Sequence, residues 1–389
     1  MATYNRRYRA TNTDSPRSTP PPAFGSSHCS IPIPIPLLIV LALELSNPPN
    51  PPGRTPPIQP NPILPAFDLS SMAVPLRFLT LRANPNALIP QYPSYSFASR
   101  VQNVLRQEFL DAKENFTAPP PPTVICFTPA PVYTLGRRQT AALSLAELER
   151  LQSPLFVQAM NLNRYGARVP GEPVFFTPTV TRSLRGGLAT YHGPGQLVLW
   201  PVIDMHSPLH QHLTMHSYAF LLQQTTIAAL KRMWSFVPFM TKNPGVWVTS
   251  LKPGKSEQER KIASIGVYCK RYVTALGVSI NYSTPVTGPE ETNPWGRIVP
   301  CGLVDRDVTN ARAELGLSGG NSPREDEVLE QLGDIWQQEF VKRLNMHVEL
   351  EDESLASFDV KQSMDNLEAQ VGDSDDRIIE AQPISNLRT

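Results

Sequence analysis

Arg185-Gly186-Gly187-Leu188-Ala189-Thr190-Tyr191-His192-Gly193-Pro194-Gly195-Gln196 runs directly into the apolar stretch Leu197 to Val202. Four glycines, one proline and one histidine are packed ahead of a strand-like run. Glycine accepts backbone angles that other residues avoid and lets a ligand approach the main chain closely. Proline then stiffens the segment. An ordinary connector needs only one or two such residues, so the stretch predicts a rigid binding wall at the mouth of a strand. Alone it names no ligand, and a structural tight turn is the competing reading.

Elements of both kinds flank this wall. Upstream, Leu76 to Leu81 reads as a strand. Tyr95 to Lys113 reads as a helix, with Phe97, Val101, Val104, Leu105 and Phe109 at helical spacing. Val124 to Phe127 is extended, and Val132-Tyr133-Thr134-Leu135 is a strand that turns at Gly136 beside Arg137 and Arg138. Ser144 to Met160 is expected to be helical and Val174 to Thr181 extended. Downstream, a helix is expected over Leu213 to Trp234. Strands follow at Val246 to Val248, Ile262 to Cys269 and Val273 to Tyr282, with a polar loop at Lys252 to Arg260. Ser322-Pro323-Arg324-Glu325 has the capping-box pattern. It opens an amphipathic helix carrying Val328, Leu332, Ile335, Trp336, Phe340 and Leu344. The fold class is α/β, a mixed sheet with surrounding helices.

Composition limits how much of the 389 residues folds. Residues 1–74 are saturated with proline, as in Pro20-Pro21-Pro22, and are expected to be a disordered extension or a transit segment. Residues 75–349 are expected to form one catalytic domain, and 350–389 an acidic disordered tail. Arg6, Arg7, Arg9 and Arg17 with few acids resemble an organelle transit peptide; a start of translation at Met72 is the rival reading. Ile31 to Leu43 is apolar but interrupted by Pro32, Pro34 and Pro36, too short for a span, so no membrane role is expected. A net charge of +1 offers no electrostatic reason for nucleic-acid binding. Cys29, Cys126, Cys269 and Cys301 show neither metal spacing nor a disulfide framework, which fits a reducing compartment.

Two residues invite chemistry. Cys301 sits in Pro300-Cys301-Gly302, where a sharp turn can present a thiol with an amide nearby to stabilise an oxyanion. A small buried hydrophobe is the bland reading, and it is the one taken for Cys126 and Cys269. A nucleophilic thiol needs a group that favours thiolate. His192 is one candidate and Lys261, opening Lys261-Ile262-Ala263-Ser264-Ile265-Gly266, is the other. A desolvated lysine acts as a base near neutrality, whereas a solvated strand end does nothing. His206, His210, His212 and His216 are close in sequence but lack the acidic partner and HExxH pattern of a zinc site.

These blocks resemble the lipoyl(octanoyl) transferase family. The likeness rests on Arg185 to Gln196, Lys261 to Gly266, Pro300-Cys301-Gly302, Tyr133 to Arg137 and Gly245 to Val248, in that family's order, and covers about Leu76 to Leu344. It implies the fold shared with biotin and lipoate protein ligases. It also implies transfer of an octanoyl group from octanoyl-acyl carrier protein, as a cysteine thioester, to a specific lysine of apo lipoyl domains. The acceptors would be 2-oxoacid dehydrogenase E2 subunits and the glycine cleavage H protein. Carried over by motif, Cys301 is the nucleophile and Lys261 lowers its pKa. Arg185, Gly186, Gly187, Leu188, Ala189, Thr190, Tyr191 and His192 line the acyl pocket, completed by Ser264, Ile265, Gly266, Gly277, Val278 and Ser279. No cofactor and no metal are implied, and the compartment is the mitochondrion.

Two departures from the family pattern stand out. Leu276 occupies the position before Gly277 where the family usually has histidine. Residues 284–296 lengthen the approach to Cys301 and read as a polar surface insertion. The competing functions are an ATP-dependent lipoate or biotin protein ligase, which needs no cysteine, a non-catalytic scaffold for lipoyl domains, and a thioesterase.

Overall fold

The computed structural model describes residues 76–82, 92–157, 160–162, 168–170, 174–249, 258–299, 307–317, 324–344, 367, 370–371 and 377–381. Ser322, Cys301 and most of the Lys252 to Arg260 loop lie outside these residues. In chain order, β1 (Arg77–Arg82) leads to α1 (Tyr95–Asn115), β2 (Thr123–Phe127), β3 (Val132–Leu135) and α2 (Leu145–Gln152). Six short strands follow: β4 (Leu155–Val157), β5 (Met160–Leu162), β6 (Arg168–Pro170), β7 (Val174–Phe176), β8 (Thr179–Arg182) and β9 (Ala189–His192). Then come β10 (Gln196–Val202), α3 (Met215–Met233), β11 (Val246–Val248), β12 (Arg260–Lys270) and β13 (Val273–Asn281). Helices α4 (Ala311–Leu315) and α5 (Glu325–Leu344) and strand β14 (Arg377–Ala381) complete the order.

Seven strands form the main sheet in the order β11-β12-β13-β10-β2-β1-β14. It is mixed: β1 and β2 run parallel, and every other neighbouring pair runs antiparallel. Its central strands read as continuous apolar runs because both faces are covered. Along β10, Leu197 and Leu199 join one core cluster while Val198 and Trp200 join the other. The first cluster takes in α3 and α5 through Leu222, Leu230, Leu332, Trp336 and Phe340. The second takes in α1 through Phe97, Val101, Leu105 and Phe109. Alternation with period two thus feeds two helical layers, so the expected α/β class is present. Helix α1 starts where expected because the Ser94 side chain accepts from Phe97 N at 3.1 Å.

A second sheet, β8-β3-β9, carries the functional stretch. Strand β3 lies between β8, parallel to it, and β9, antiparallel. Several expectations change here. The helix expected over Ser144 to Met160 stops at Gln152, because Pro154 disfavours helical backbone just before it, and β4 follows. Val174 to Thr181 is divided at Thr177-Pro178 into β7, which pairs with β4, and β8.

Residues 284–296 are at the surface over most of 285–292, as expected, but the segment is anchored in the core at its end, where Asn293, Pro294 and Trp295 are buried. Trp295 is 6% exposed and joins Tyr133, Tyr191, Leu151 and Leu155 in a third core cluster. Tyr133 Oη donates to Pro294 O at 2.8 Å. The Arg297 guanidinium, just beyond, donates to the carbonyls of Leu151, Ser153, Pro154 and Glu290. Within the segment Thr284, Thr292 and Asn293 bond to backbone and Glu290 pairs with Arg150, and the one tryptophan supplies the apolar anchor. Arg377–Ala381 also departs from expectation. It falls within 350–389, yet it pairs antiparallel with β1 as the edge strand. The β-branched pair Ile378-Ile379 suits that position.

Candidate functional site

Arg185 organises the glycine-rich stretch from inside. Its side chain is buried, and Nε and Nη2 donate to Thr134 Oγ1 at 3.2 and 2.8 Å. Nη1 donates to Gly186 O at 3.0 Å and to Leu188 O at 2.8 Å. The turn after β3 is laced to the same loop. Arg137 N donates to Arg185 O at 2.9 Å and Arg138 N to Gly187 O at 3.1 Å. The guanidinium therefore ties the loop to β3, and only the aliphatic stem is left to meet a ligand.

That stem closes one side of a pocket lined by Tyr95, Arg185, Thr190, His192, Trp200, Ser264, Ile265, Gly266, Leu276, Gly277, Val278 and Ser279. Nine of the residues picked out from sequence thus converge from three separate stretches: Arg185, Thr190, His192, Ser264, Ile265, Gly266, Gly277, Val278 and Ser279. Five others do not line it. Tyr191 alternates with Thr190 and His192 along β9 and faces Tyr133 and Trp295 instead, with ring centroids 5.3 and 5.9 Å away. Ala189 does not line it either, and Gly186, Gly187 and Leu188 hold the Arg185 side chain and the turn after β3 through their carbonyls. Gly266 faces Gly277 across the β12–β13 ladder. A β-carbon at Gly266 would lie 2.7 Å from Arg185 Cδ, so its absence lets the stem lie flat on the strand.

Sequence reasoning missed Tyr95 and Trp200. Tyr95 is the first residue of α1; its ring stacks on His192 at 6.1 Å and meets Trp200 edge-on at 5.1 Å. Trp200 read simply as core strand. Only the alternation along β10, which puts it on the α1 face with Val198, hinted at its side. Leu276, flagged as a departure, lines the pocket with φ +63°. A leucine in this left-handed region costs about 1–2 kcal/mol; it stays paired with Val267 of β12 and lies two residues from Val278, where the β10 ladder ends.

The polar floor of the pocket is a short network. Gln196 Nε2 donates to Tyr191 O at 3.3 Å, which leaves Oε1 as acceptor. Ser279 Oγ donates to that oxygen at 2.8 Å, and His192 Nδ1 lies 3.2 Å from it. The imidazole accordingly carries its proton on Nδ1 and keeps a lone pair on Nε2. Burial, with the Arg185 charge adding to it, drops the His192 pKa to about 3, against the weaker opposing bond from Gln196. At neutral pH this is an uncharged hydrogen-bonding group. Thr190 Oγ1, buried in the pocket lining, has no hydrogen-bond partner.

Lys261 is placed lower on β12 and is 4% exposed. Its Nζ donates to Pro244 O at 3.1 Å and sits 4.8 Å above the Trp247 ring. Gly245, at φ +137°, is needed here: a β-carbon would come within 3.1 Å of Lys261 Cε. Lys261 is not among the pocket-lining residues. Where the described chain resumes after Cys301, it pairs with this lysine. Lys261 N donates to Asp307 O and Thr309 N to Lys261 O, both at 2.9 Å. Asn281 Nδ2 also holds Thr309 O at 3.0 Å.

The remaining candidates are structural in their surroundings. Cys126 is buried against Gly333 of α5, and burial pushes its thiol up to about 12. Cys269 is half-buried, with burial raising its pKa. His206 stacks on Tyr272 at 3.8 Å and on His212 at 5.3 Å, and His210 Nδ1 bonds to Gln211 O at 2.8 Å. Among the described residues no group of three or more His, Cys, Asp or Glu is placed to hold a metal ion.

Residues 95–334 match the lipoyl protein ligase A/B catalytic domain. A probable octanoyltransferase of Schizosaccharomyces pombe is 33% identical over 218 residues, covering 56% of this chain and 80% of that protein. The Danio rerio protein named octanoyl-[acyl-carrier-protein]:protein N-octanoyltransferase LIPT2, mitochondrial, is 30% identical over 222 residues, 57% of this chain and 79% of that one. The Homo sapiens protein of the same name is 33% identical over 189 residues, 43% of this chain and 75% of that one.

Proposed function

The chain belongs to the lipoyl protein ligase A/B catalytic domain family, and on that premise we propose an octanoyltransferase that works through a thioester on Cys301. It is an acyltransferase, as its relatives' names, octanoyltransferase, say of them, and the reaction serves protein lipoylation. The observation that carries the reading is the convergence of the β9, β12 and β13 stretches on one pocket with an apolar wall and an uncharged polar floor. Such a lining suits a fatty acyl chain whose thioester carbonyl seeks a hydrogen-bond donor, and the hydroxyl of Thr190 is a donor able to meet it.

The chemistry balances without ATP. The Cys301 thiolate attacks the octanoyl thioester carbonyl, the carbon–sulfur bond to the donor breaks, and the donor thiolate leaves and is protonated. A lysine amine of the acceptor then attacks the enzyme thioester. The amide forms, the cysteine sulfur departs, and the amine proton is lost to base. Lys261 is the group proposed to hold Cys301 as thiolate. Its backbone pairing with Asp307 supports this, because Cys301 precedes Asp307 by six residues, at most about 22 Å of extended chain. The donor is octanoyl-acyl carrier protein. The acceptors are lipoyl domains, in particular those of 2-oxoacid dehydrogenase E2 subunits and the glycine cleavage H protein, and the compartment is the mitochondrion.

The test is incubation with octanoyl-acyl carrier protein followed by intact-protein mass spectrometry. The expected result is one octanoyl mass on Cys301 that moves to an added apo lipoyl domain without nucleotide. Full transfer by Cys301→Ser overturns the mechanism. The family description also covers ligases, and activity only with ATP and free octanoate would assign the chain to that reaction.

A further inference from the structure

Among the described residues, most exposed arginines meet a carboxylate, Arg100 on α1 being one that instead lies over the Phe97 ring. Arg82 pairs with Glu330, Arg150 with Glu290, Arg260 with Glu314, Arg271 with Glu114, Arg324 with Asp326 and Arg343 with Glu339. Arg137, Arg138 and Arg182 are exposed and lie within ion-pair distance of no described carboxylate. Arg182 spends one N–H on Gln139 O at 3.0 Å. The strands and turns around them are acid-free, since residues 115–146 and 174–203 contain neither Asp nor Glu. Helix α2 packs against β8 and carries two exposed acids, Glu147, turned back onto Ser144 N and Oγ, and Glu149, which forms no ion pair with these arginines.

The three cations share one end of the small sheet. Arg182 is the register partner of Leu135 in the β3–β8 ladder, and Arg137 and Arg138 follow Leu135 by two and three residues. The backbone of Arg137 and Arg138 bonds directly to the 185–187 loop that forms the pocket wall. Leu184, 56% exposed, stands beside that loop. An exposed leucine on the same end of the sheet as three exposed cations that meet no described carboxylate, on a chain of net charge +1, is complementary to an acidic protein surface.

We propose that Arg137, Arg138 and Arg182 together with Leu184 form the docking surface for the octanoyl donor, an acidic carrier protein bearing its thioester on a pantetheine arm. This rests on the octanoyl-transfer reading. Length of reach favours the donor over the lipoyl-domain acceptor. The patch borders the pocket wall, whereas Lys261 and its partner Asp307 lie outside the lining. A carrier docked at the patch covers the remaining distance with its long arm. An acceptor must bring a lysine side chain, several times shorter, to the acyl carbonyl itself.

The test uses the full chain and the double variant Arg138→Glu/Arg182→Glu, compared by melting temperature and by each half-reaction. Self-acylation from octanoyl-acyl carrier protein is expected to lose about tenfold or more in kcat/KM at low salt. Self-acylation from octanoyl-pantetheine, which has the arm but no acidic protein, and transfer from preloaded enzyme to an apo lipoyl domain are expected to stay unchanged. For the wild type alone, kcat/KM for the carrier is expected to fall steeply from about 50 to 500 mM salt. Unchanged carrier kinetics in the variant, or a flat salt profile in the wild type, overturns the proposal. So does an equal loss with octanoyl-pantetheine, or a loss confined to the acceptor step. A wild-type enzyme that takes octanoyl from neither donor overturns the octanoyl-transfer reading itself, a result distinct from all of these.

Discussion

The Arg185 side chain lies across Gly266 so closely that a β-carbon there would sit 2.7 Å from its Cδ and 3.3 Å from its Cβ. The arginine cannot swing aside, because its guanidinium is held by Thr134, Gly186 and Leu188. Gly266→Ala is therefore expected to cost about 1–3 kcal/mol through overpacking and to shrink the pocket. Thermal unfolding reads the first effect and octanoyl self-acylation the second. Adding Arg185→Ala is expected to give a combined loss smaller than the sum of the two singles, since they share one contact.

His192 makes stability depend on acid. Its ordinary pKa of about 6.5 in the unfolded chain falls to about 3 in the fold, so unfolding takes up a proton between those values. Stability is fully present above about pH 6.5 and declines as pH falls towards 3. Going from about pH 7.5 to 5, the wild type is expected to lose about 2 kcal/mol more than His192→Gln, which cannot titrate. Urea unfolding at the two pH values checks this; equal losses would remove the buried neutral imidazole from the account.

Trp295 anchors residues 284–296 beneath β9 through Tyr191 and Tyr133. Trp295→Ala is expected to destabilise by about 3–5 kcal/mol, far more than removing a residue from a solvated loop. Chemical denaturation measures the total. Hydrogen exchange is expected to show the lost protection first in β3 and β9, the strands whose tyrosines it covers.

Cys126 is buried and its thiol is held up to about 12. Alkylation of the native protein at about pH 8 is expected to spare it, because thiolate is the reactive form. Peptide mapping after brief iodoacetamide treatment, with and without denaturant, is the check. Rapid native labelling of Cys126 would mean that α5 does not stay seated on the sheet.

Much of the layout was legible because it is local. Strands β1, β2, β10 and β13 appear as short apolar runs, and α1 declares itself by 3.6-residue spacing, while the caps Ser94 and Thr214 show only in the structure. The end of α2 was legible too, in Pro154, but the apolar residues beyond it imitate a continuing helix. Trp295 was hidden by its neighbours: one aromatic among Pro, Thr, Asn and Glu carries no periodicity. Tyr95 and Trp200 carried no functional signal, since each gains its role only from the other element it meets.

For the candidate site, the sequence by itself determined the chemistry available and the family: the glycine-rich stretch, the Lys261 and Cys301 blocks, and their order. Which residues face a ligand was decided by the tertiary structure alone. Thr190 and His192 turn inward and Tyr191 outward because β9 pairs with β3 in one register. Arg185 becomes a tie rather than an exposed charge because Thr134 lies beside it, 51 positions away in the chain. Motifs record residue types that chemistry requires locally, whereas facing and pairing depend on strand register and on contacts between distant segments, and these exist only once the chain is packed.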